Sequence, residues 1–187
     1  YVDEIWVSSN HIRSSLIDKT DKTIKVMPLC IDQEGYSISQ QTVKERIINR
    51  NKFNLIKDAY YICYSFDQNS YIERKNPWDA LRTFQMAFPP LQEHKNNFDI
   101  RLLIKTYPNK NESFQWKHFK EIASLDSRIL IIEKNISRQN LLELYGCCDV
   151  FLSLHKAEGY GRCLGEALQL GLDLVATNWS GNVDFCK

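Results

Sequence analysis

The chain has 187 residues, with 24 Lys and Arg against 23 Asp and Glu for a net charge of +1, and 43% of it is hydrophobic. That length supports about one domain with a real core, and the charge balance excludes the basic excess of a nucleic-acid module. No apolar run approaches a membrane span, and the opening on Tyr1 reads as the start of a piece excised from something longer, so the lack of a signal peptide says little.

Tyr1 to Ser8 reads as a strand, Asn10 to Leu16 as a short helix, and Thr23 to Pro28 as a second strand after a polar turn. Asp32 to Arg50 is polar linker with a helix at Gln41 to Ile48. Ala59 to Phe66 is the most β-like run and is expected to be a central strand. A loop at Asp67 to Ser70 follows, then Asn76-Pro77, which fits an N-cap with proline at the first helical position. The helix from Pro77 to about Leu91 carries Ala80, Leu81, Phe84, Ala87 and Phe88 on one face, and Pro89-Pro90 should end or distort it early. Phe98 to Lys105 is the next strand; Lys105 at its end either reaches a ligand phosphate or snorkels as an edge lysine. Glu112 to Ser124 reads as a helix, Arg128 to Ile132 as a strand, and Ser137 caps a helix running to Cys148. The six cysteines follow no zinc spacing and mostly lie in apolar runs, which favours buried reduced thiols and a reducing compartment.

The most informative stretch runs from Asp149 to Asp184. Asp149 to Leu154 is a short apolar strand, and His155-Lys156-Ala157-Glu158-Gly159-Tyr160-Gly161 is a tight polar loop whose glycines let backbone approach a ligand. A helix starts at Arg162 and stops before Gly171, a suitable residue just past a helix end. Leu172 to Thr177 returns to strand, and Asn178-Trp179-Ser180-Gly181-Asn182 is another polar loop. Strands alternating with helices select an α/β fold, a Rossmann-like parallel sheet covered by helices on both faces. Right-handed crossovers then place these loops on one rim, at the carboxyl ends of the strands where ligands bind. The helix N-terminus beyond Gly161 favours a phosphate, while Glu158 and Glu166 repel one and suit paired hydroxyls. A ligand with phosphate in its middle and a diol at each end satisfies both, and a nucleotide sugar is such a ligand.

Glu158 to Glu166 is an E-x7-E with Gly-Tyr-Gly after the first acid and Glu-Ala at the second. This resembles the donor-site motif of retaining GT-B glycosyltransferases, glycosyltransferase family 4. The longer string through Ser153, His155 and Thr177 to Asn182 is similar to a mannosyl/rhamnosyl-type branch that builds surface polysaccharides. The resemblance implies the carboxyl-terminal half of a GT-B fold, with residues 1–28 as the end of the amino-terminal domain and linker and 29–187 as the donor-binding domain. The acceptor-binding half would then be missing. It also implies that Glu158 holds the transferred sugar and Glu166 the ribose hydroxyls.

Arg74-Lys75 lies where the family clamps its diphosphate, although Ser65-Phe66 replace the usual Gly-Arg, so Arg74 stands in as second cation beside Lys75. These cations and the helix N-terminus would stabilise the departing diphosphate, with no metal, since nothing resembles a D-x-D or a His/Cys ligand set. Gly159, Tyr160, Gly161, Ser180, Gly181 and Asn182 are further donor-binding candidates. His155 either donates to the ligand or is a satisfied loop histidine. Trp179 covers the sugar or closes its loop, Asp184 resembles the acidic end of the motif or else packs or caps, and Arg162 forms a surface pair with Glu166. Asn111, Asn135 and Asn178 each open an N-x-S triplet, read as chance because a glycan on Asn178 would block the site.

The expected activity is transfer of a hexose from a nucleoside-diphosphate sugar to a glycan or lipid-linked glycan, without nucleic acid and without a cofactor. The enzyme would be cytoplasmic, and peripheral membrane association through the missing half is compatible with it. A non-catalytic nucleotide-sugar binder and a GT-B phosphorylase or epimerase use the same half-fold and remain alternatives. An oxidoreductase is disfavoured because no G-x-G-x-x-G follows the early strands.

Overall fold

The structure, a computed structural model, describes residues 2–31, 43–89 and 99–187. Two parallel sheets form. β1 (Glu4–Val7) pairs with β2 (Thr23–Val26) around helix α1 (Asn10–Leu16). The main sheet has five parallel strands in the order β5-β4-β3-β6-β7: β3 is Tyr60–Ser65, β4 Ile100–Thr106, β5 Ile129–Glu133, β6 Val150–Ser153 and β7 Asp173–Ala176. Helices α2 (Val43–Lys52), α4 (Pro77–Ala87), α5 (Phe114–Ala123), α6 (Arg138–Gly146) and α7 (Arg162–Gln169) cover it.

Because β3 and β4 are buried on both faces, their side chains divide by parity between two cores. Tyr61, Cys63 and Leu103 pack with Leu142, Tyr145, Leu164 and Ala167 from α6 and α7. Tyr64, Phe66, Leu102 and Ile104 pack on the other face with Leu81 and Phe84 of α4 and Trp116 and Phe119 of α5. The chain winds β3-β4-β5 in one direction, then returns to place β6 on the opposite side of β3. That reversal opens a crevice at the carboxyl ends of β3 and β6.

Opposite the crevice, buried Arg50 of α2 donates to the carbonyls of Cys147, Lys57 and Ala59 and pairs with Asp149 at 3.3 Å. Asp149 also accepts the N–H of Tyr61 at 2.8 Å, so one acid and one base tie α2 to the start of β3 and β6.

Several elements differ from expectation. The helix expected at Gln41 to Ile48 begins within the described residues at Val43 and continues to Lys52; Gln41, like Phe98 and Leu91, lies outside them. The helix begun at Pro77 ends at Ala87. Between the β3 loop and Pro77 stands an unexpected helical turn, α3 (Ile72–Lys75). Asn76 therefore does not cap α4 with its side chain. It closes α3 in the left-handed region at φ 62°, where asparagine is tolerated, and its Nδ2 donates to Leu154 O and to Asp79. Lys105 does not snorkel at an edge: β4 is flanked by β3 and β5, and the side chain is fully buried. All six cysteines are free, with Cys30 exposed and Cys63, Cys147 and Cys148 buried.

Candidate active site

The loops after β3 and β6 meet across the crevice. Helix α3 delivers Arg74 and Lys75, and its last carbonyls are fixed: Tyr64 Oη donates to Lys75 O at 2.6 Å, and the N–H of Lys156 donates to Arg74 O at 2.8 Å. Lys75 Nζ pairs directly with Glu158 Oε1, and Arg74 Nη1 lies 3.2 Å from the same oxygen. Arg74 is anchored further by Ala157 O at 2.7 Å and Ser70 Oγ at 2.6 Å. The side chains of Lys75 and Glu158 are 17% and 13% exposed, so this pair sits where water screens it weakly. Three of the expected site residues, eighty-odd positions apart in sequence, thus share one mouth.

The 177–182 loop holds Glu158 by its backbone. Its N–H donates to Ser180 Oγ at 2.8 Å, and its carbonyl accepts from the N–H of Gly181 at 2.8 Å. This stitch requires Gly181: a Cβ there would stand 2.0 Å from Gly159 O, a backbone atom that cannot swing aside. Ser180 pays with φ 76° and ψ −152°, a region that non-glycine residues avoid. Gly161 opens α7 at φ 93° as its N-cap, and no described side chain caps the helix, an end that by its free amides and dipole suits an anion.

Other expected ligands serve the loops. His155 is buried, with Nδ1 2.9 Å from Ser153 Oγ and Nε2 3.0 Å from Asn182 Oδ1. Asn182 also donates through Nδ2 to Thr177 O at 3.0 Å. Both are therefore engaged in fixing the 177–182 loop, and the N–H of Gly181 is engaged by Glu158. Tyr160 turns outward, its hydroxyl on Leu29 O at 3.2 Å and its ring against Phe185. Asp184 accepts from the N–H of Asn10 at 2.7 Å, which is the capping alternative. Trp179 is 58% exposed and meets His11 edge-on at 5.5 Å.

Glu166 lies beneath the surface at 1% exposure. The expected pair with Arg162 forms at 3.0 Å, but Arg138, the first residue of α6, also reaches Glu166 Oε1 at 2.7 Å. The carboxylate in turn raises the pKa of the Arg138 guanidinium by hydrogen bonding to its charged form. Glu158 and Glu166 are thus not presented alike: one pairs with the cations across the crevice, the other is covered by two guanidiniums.

Sequence reasoning missed Arg138, and it missed Ser9. Ser9 is fully buried, caps α1 through its Oγ, and donates to Gly159 O at 2.5 Å, which ties the β1–α1 segment to the glycine loop. A serine directly before a short helix was the available signal for the cap, although not for the long-range bond. Lys105 donates to the carbonyls of Thr106 and Lys134 at 2.7 and 2.9 Å, over the Tyr107 ring. Burial lowers its pKa to about 8, and it supports the rim rather than pointing out of it.

With this geometry in place, the family model described as glycosyl transferases group 1 matches residues 70–187. A glycosyltransferase from Rickettsia africae superposes with a TM-score of 0.79 at 18% identity, covering 99% of this chain and 47% of that one. HepE from Anabaena, in complex with UDP and glucose, gives 0.74 at 14% identity, covering 100% and 47%. WaaG, a glycosyltransferase involved in lipopolysaccharide biosynthesis, gives 0.73 at 17% identity, covering 97% and 46%. At these identities the likeness establishes a GT-B Rossmann-like half, and the chain spans about half the length of those structures. No curated protein matches the sequence.

Proposed function

We propose, for a chain that belongs to the group 1 glycosyl transferases, that it is the donor-binding half of an enzyme moving a hexose from a nucleoside-diphosphate sugar with retention of configuration. The observation that carries this reading is the meeting of Lys75, Arg74 and Glu158 at the switch point, beside the uncapped start of α7. A neutral ligand could not separate so sheltered an ion pair without leaving a charge uncompensated, at about 3–5 kcal/mol. A nucleotide sugar compensates both partners: its diphosphate takes the cations and the α7 amides, and its sugar hydroxyls take Glu158. The UDP and UDP-glucose complexes of HepE, a protein of the same fold, support a nucleotide-sugar donor.

In this mechanism, charge develops on the leaving diphosphate as the glycosidic bond breaks, and Lys75, Arg74 and the first turn of α7 stabilise it. Glu158 positions the sugar, and Glu166 takes the ribose hydroxyls once its arginines release it. The cations supply the charge that a metal would otherwise bring. Mannose or rhamnose as the hexose, a glycan or lipid-linked glycan as acceptor, and retention follow from the motif's resemblance to that branch. Residues 1–28 then close the amino-terminal half and 29–187 form the donor half. A lipid-linked acceptor would bring the enzyme to the cytoplasmic face of a membrane through its other half; among the described residues no helix is long and apolar enough to cross one.

The test is kinetic and stereochemical, on the complete enzyme. Lys75→Ala should lower kcat by roughly 100-fold or more with little change in KM, as loss of transition-state stabilisation does. Glu166→Ala should mainly raise the donor KM, and NMR of the first-formed product should show the donor's anomeric configuration. Wild-type rates in both variants, or an inverted product, would overturn the assignment.

A further inference from the structure

The cations around the crevice are unequally accounted for. The strand end that precedes the clamp offers none: Ser65 accepts from Tyr145 Oη at 2.8 Å, and Phe66 is buried edge-on against Trp116. Arg74 and Lys75 share Glu158, whereas Arg138 and Arg162 converge on the single oxygen Oε1 of Glu166 from the first positions of α6 and α7. One guanidinium suffices to neutralise one buried carboxylate. The second adds a further positive charge on the same oxygen, and the two arginine side chains are 42% and 63% exposed. Each guanidinium has five N–H groups in a planar fork suited to phosphate oxygens.

We propose that Arg138 and Arg162 form the second half of the diphosphate clamp, held at the mouth by Glu166 until a nucleotide arrives. The proposal rests on the donor-binding reading above and adds two residues and an exchange to it. Among the described residues, Arg74 and Lys75 pair with Glu158 and Arg138 and Arg162 with Glu166, four cations on two carboxylates, an excess of two positive charges. The diphosphate of a nucleotide sugar carries two ionised phosphates, so the bound state balances. Ribose hydroxyls replace the guanidiniums on Glu166, and the freed forks turn onto the phosphates beside the α7 amides. In the exchange the guanidiniums pass from a carboxylate to phosphates, and Glu166 keeps hydrogen bonds to its charged form from the neutral ribose hydroxyls. Since Arg162 is the residue after Gly161, a fork at that position lies next to those amides without any movement of the backbone.

Calorimetric titration of UDP and GDP, and of uridine and guanosine, separates this role from a structural one. Arg138→Gln and Arg162→Gln each leave Glu166 one guanidinium, so both variants should stay folded, as thermal melts will show. Each should weaken the better-bound diphosphate by about tenfold or more, the scale of a charge-assisted hydrogen bond, while leaving its nucleoside within about twofold. The dependence of diphosphate affinity on salt should become shallower in both. Arg138→Lys should recover most of the loss, and Lys117→Gln, the same charge change at an exposed position of α5, should have no effect. Equal weakening of diphosphate and nucleoside would make the arginines structural and overturn the inference, as would unchanged diphosphate binding in both Gln variants. Failure of the unaltered protein to bind either nucleotide would overturn the donor-binding reading, and this inference with it.

Discussion

Replacing Gly181 by alanine tests whether the site depends on the close approach of its two loops. The added Cβ would lie 2.0 Å from Gly159 O, whereas ordinary contact begins at 3.4 Å, so the backbones must part by about 1.4 Å. Parting them breaks the Gly181 N–H bond to Glu158 O and disturbs the Glu158 N–H bond to Ser180 Oγ, each 2.8 Å long. Overpacking of this kind costs about 1–3 kcal/mol, which in a domain of this size lowers Tm by roughly 5 °C. The functional effect should be larger, because a misplacement of about 1 Å at a reacting centre can cost roughly 100-fold in rate. Gly171→Ala is the control: that residue has φ +77° but open space around it, so alanine meets only backbone strain of about 1 kcal/mol, away from the crevice. Differential scanning calorimetry and nucleotide-sugar titration on both variants decide the matter. Gly181→Ala should lose stability and donor affinity together, and Gly171→Ala stability alone. Unchanged donor affinity in Gly181→Ala would refute the argument that this stitch positions Glu158.

Other perturbations act through buried polar groups. Burial holds Lys105 at a pKa of about 8 against the ordinary 10.5, so below pH 8 the folded state bears the cost of a charged ammonium that the unfolded state does not. Stability should therefore rise between pH 8 and 10.5 by about 2–3 kcal/mol relative to Lys105→Met, measured by urea denaturation; a pH-independent difference would contradict this. Arg50→Met removes the donor shared by three carbonyls and leaves Asp149 without its most buried partner, for an expected loss of about 3–5 kcal/mol with donor affinity retained in the folded fraction. Ser9→Ala should cost about 1–2 kcal/mol by removing the α1 cap and the bond to Gly159 O, and hydrogen exchange should increase at the glycine loop.

What the sequence revealed was local. Asn10–Leu16, the Ser137 cap and the stop before Gly171 were readable because a cap or a left-handed residue is specified within four positions. The Gly159–Gly161 loop was readable for the same reason, and the β-rich run at 59–66 announced the central strand. The departures were set by partners distant in sequence. Asn76 is the N-cap of α4 by position, with Pro77 after it, but it makes no side-chain capping bond because α3 also ends on it in the left-handed region. Lys105 looked like an edge lysine because only the strand order shows that β4 has neighbours on both sides. Glu166 was read as one half of a surface i, i+4 pair with Arg162, whereas it is buried and also pairs with Arg138, on a helix that local spacing does not connect to it. Polar residues whose role depends on such partners were the ones misjudged, since hydrophobic periodicity carries no information about them.

Whether the crevice binds a nucleotide-sugar donor is decided by titrating the protein, and Lys75→Ala beside it, with GDP-, UDP- and dTDP-sugars in a calorimeter. Saturable binding of at least one of them is expected at one site per chain, with an affinity that falls as salt rises and is weaker for the bare nucleoside. Absence of binding to all three, or binding that is indifferent to the diphosphate, would contradict the donor-binding reading.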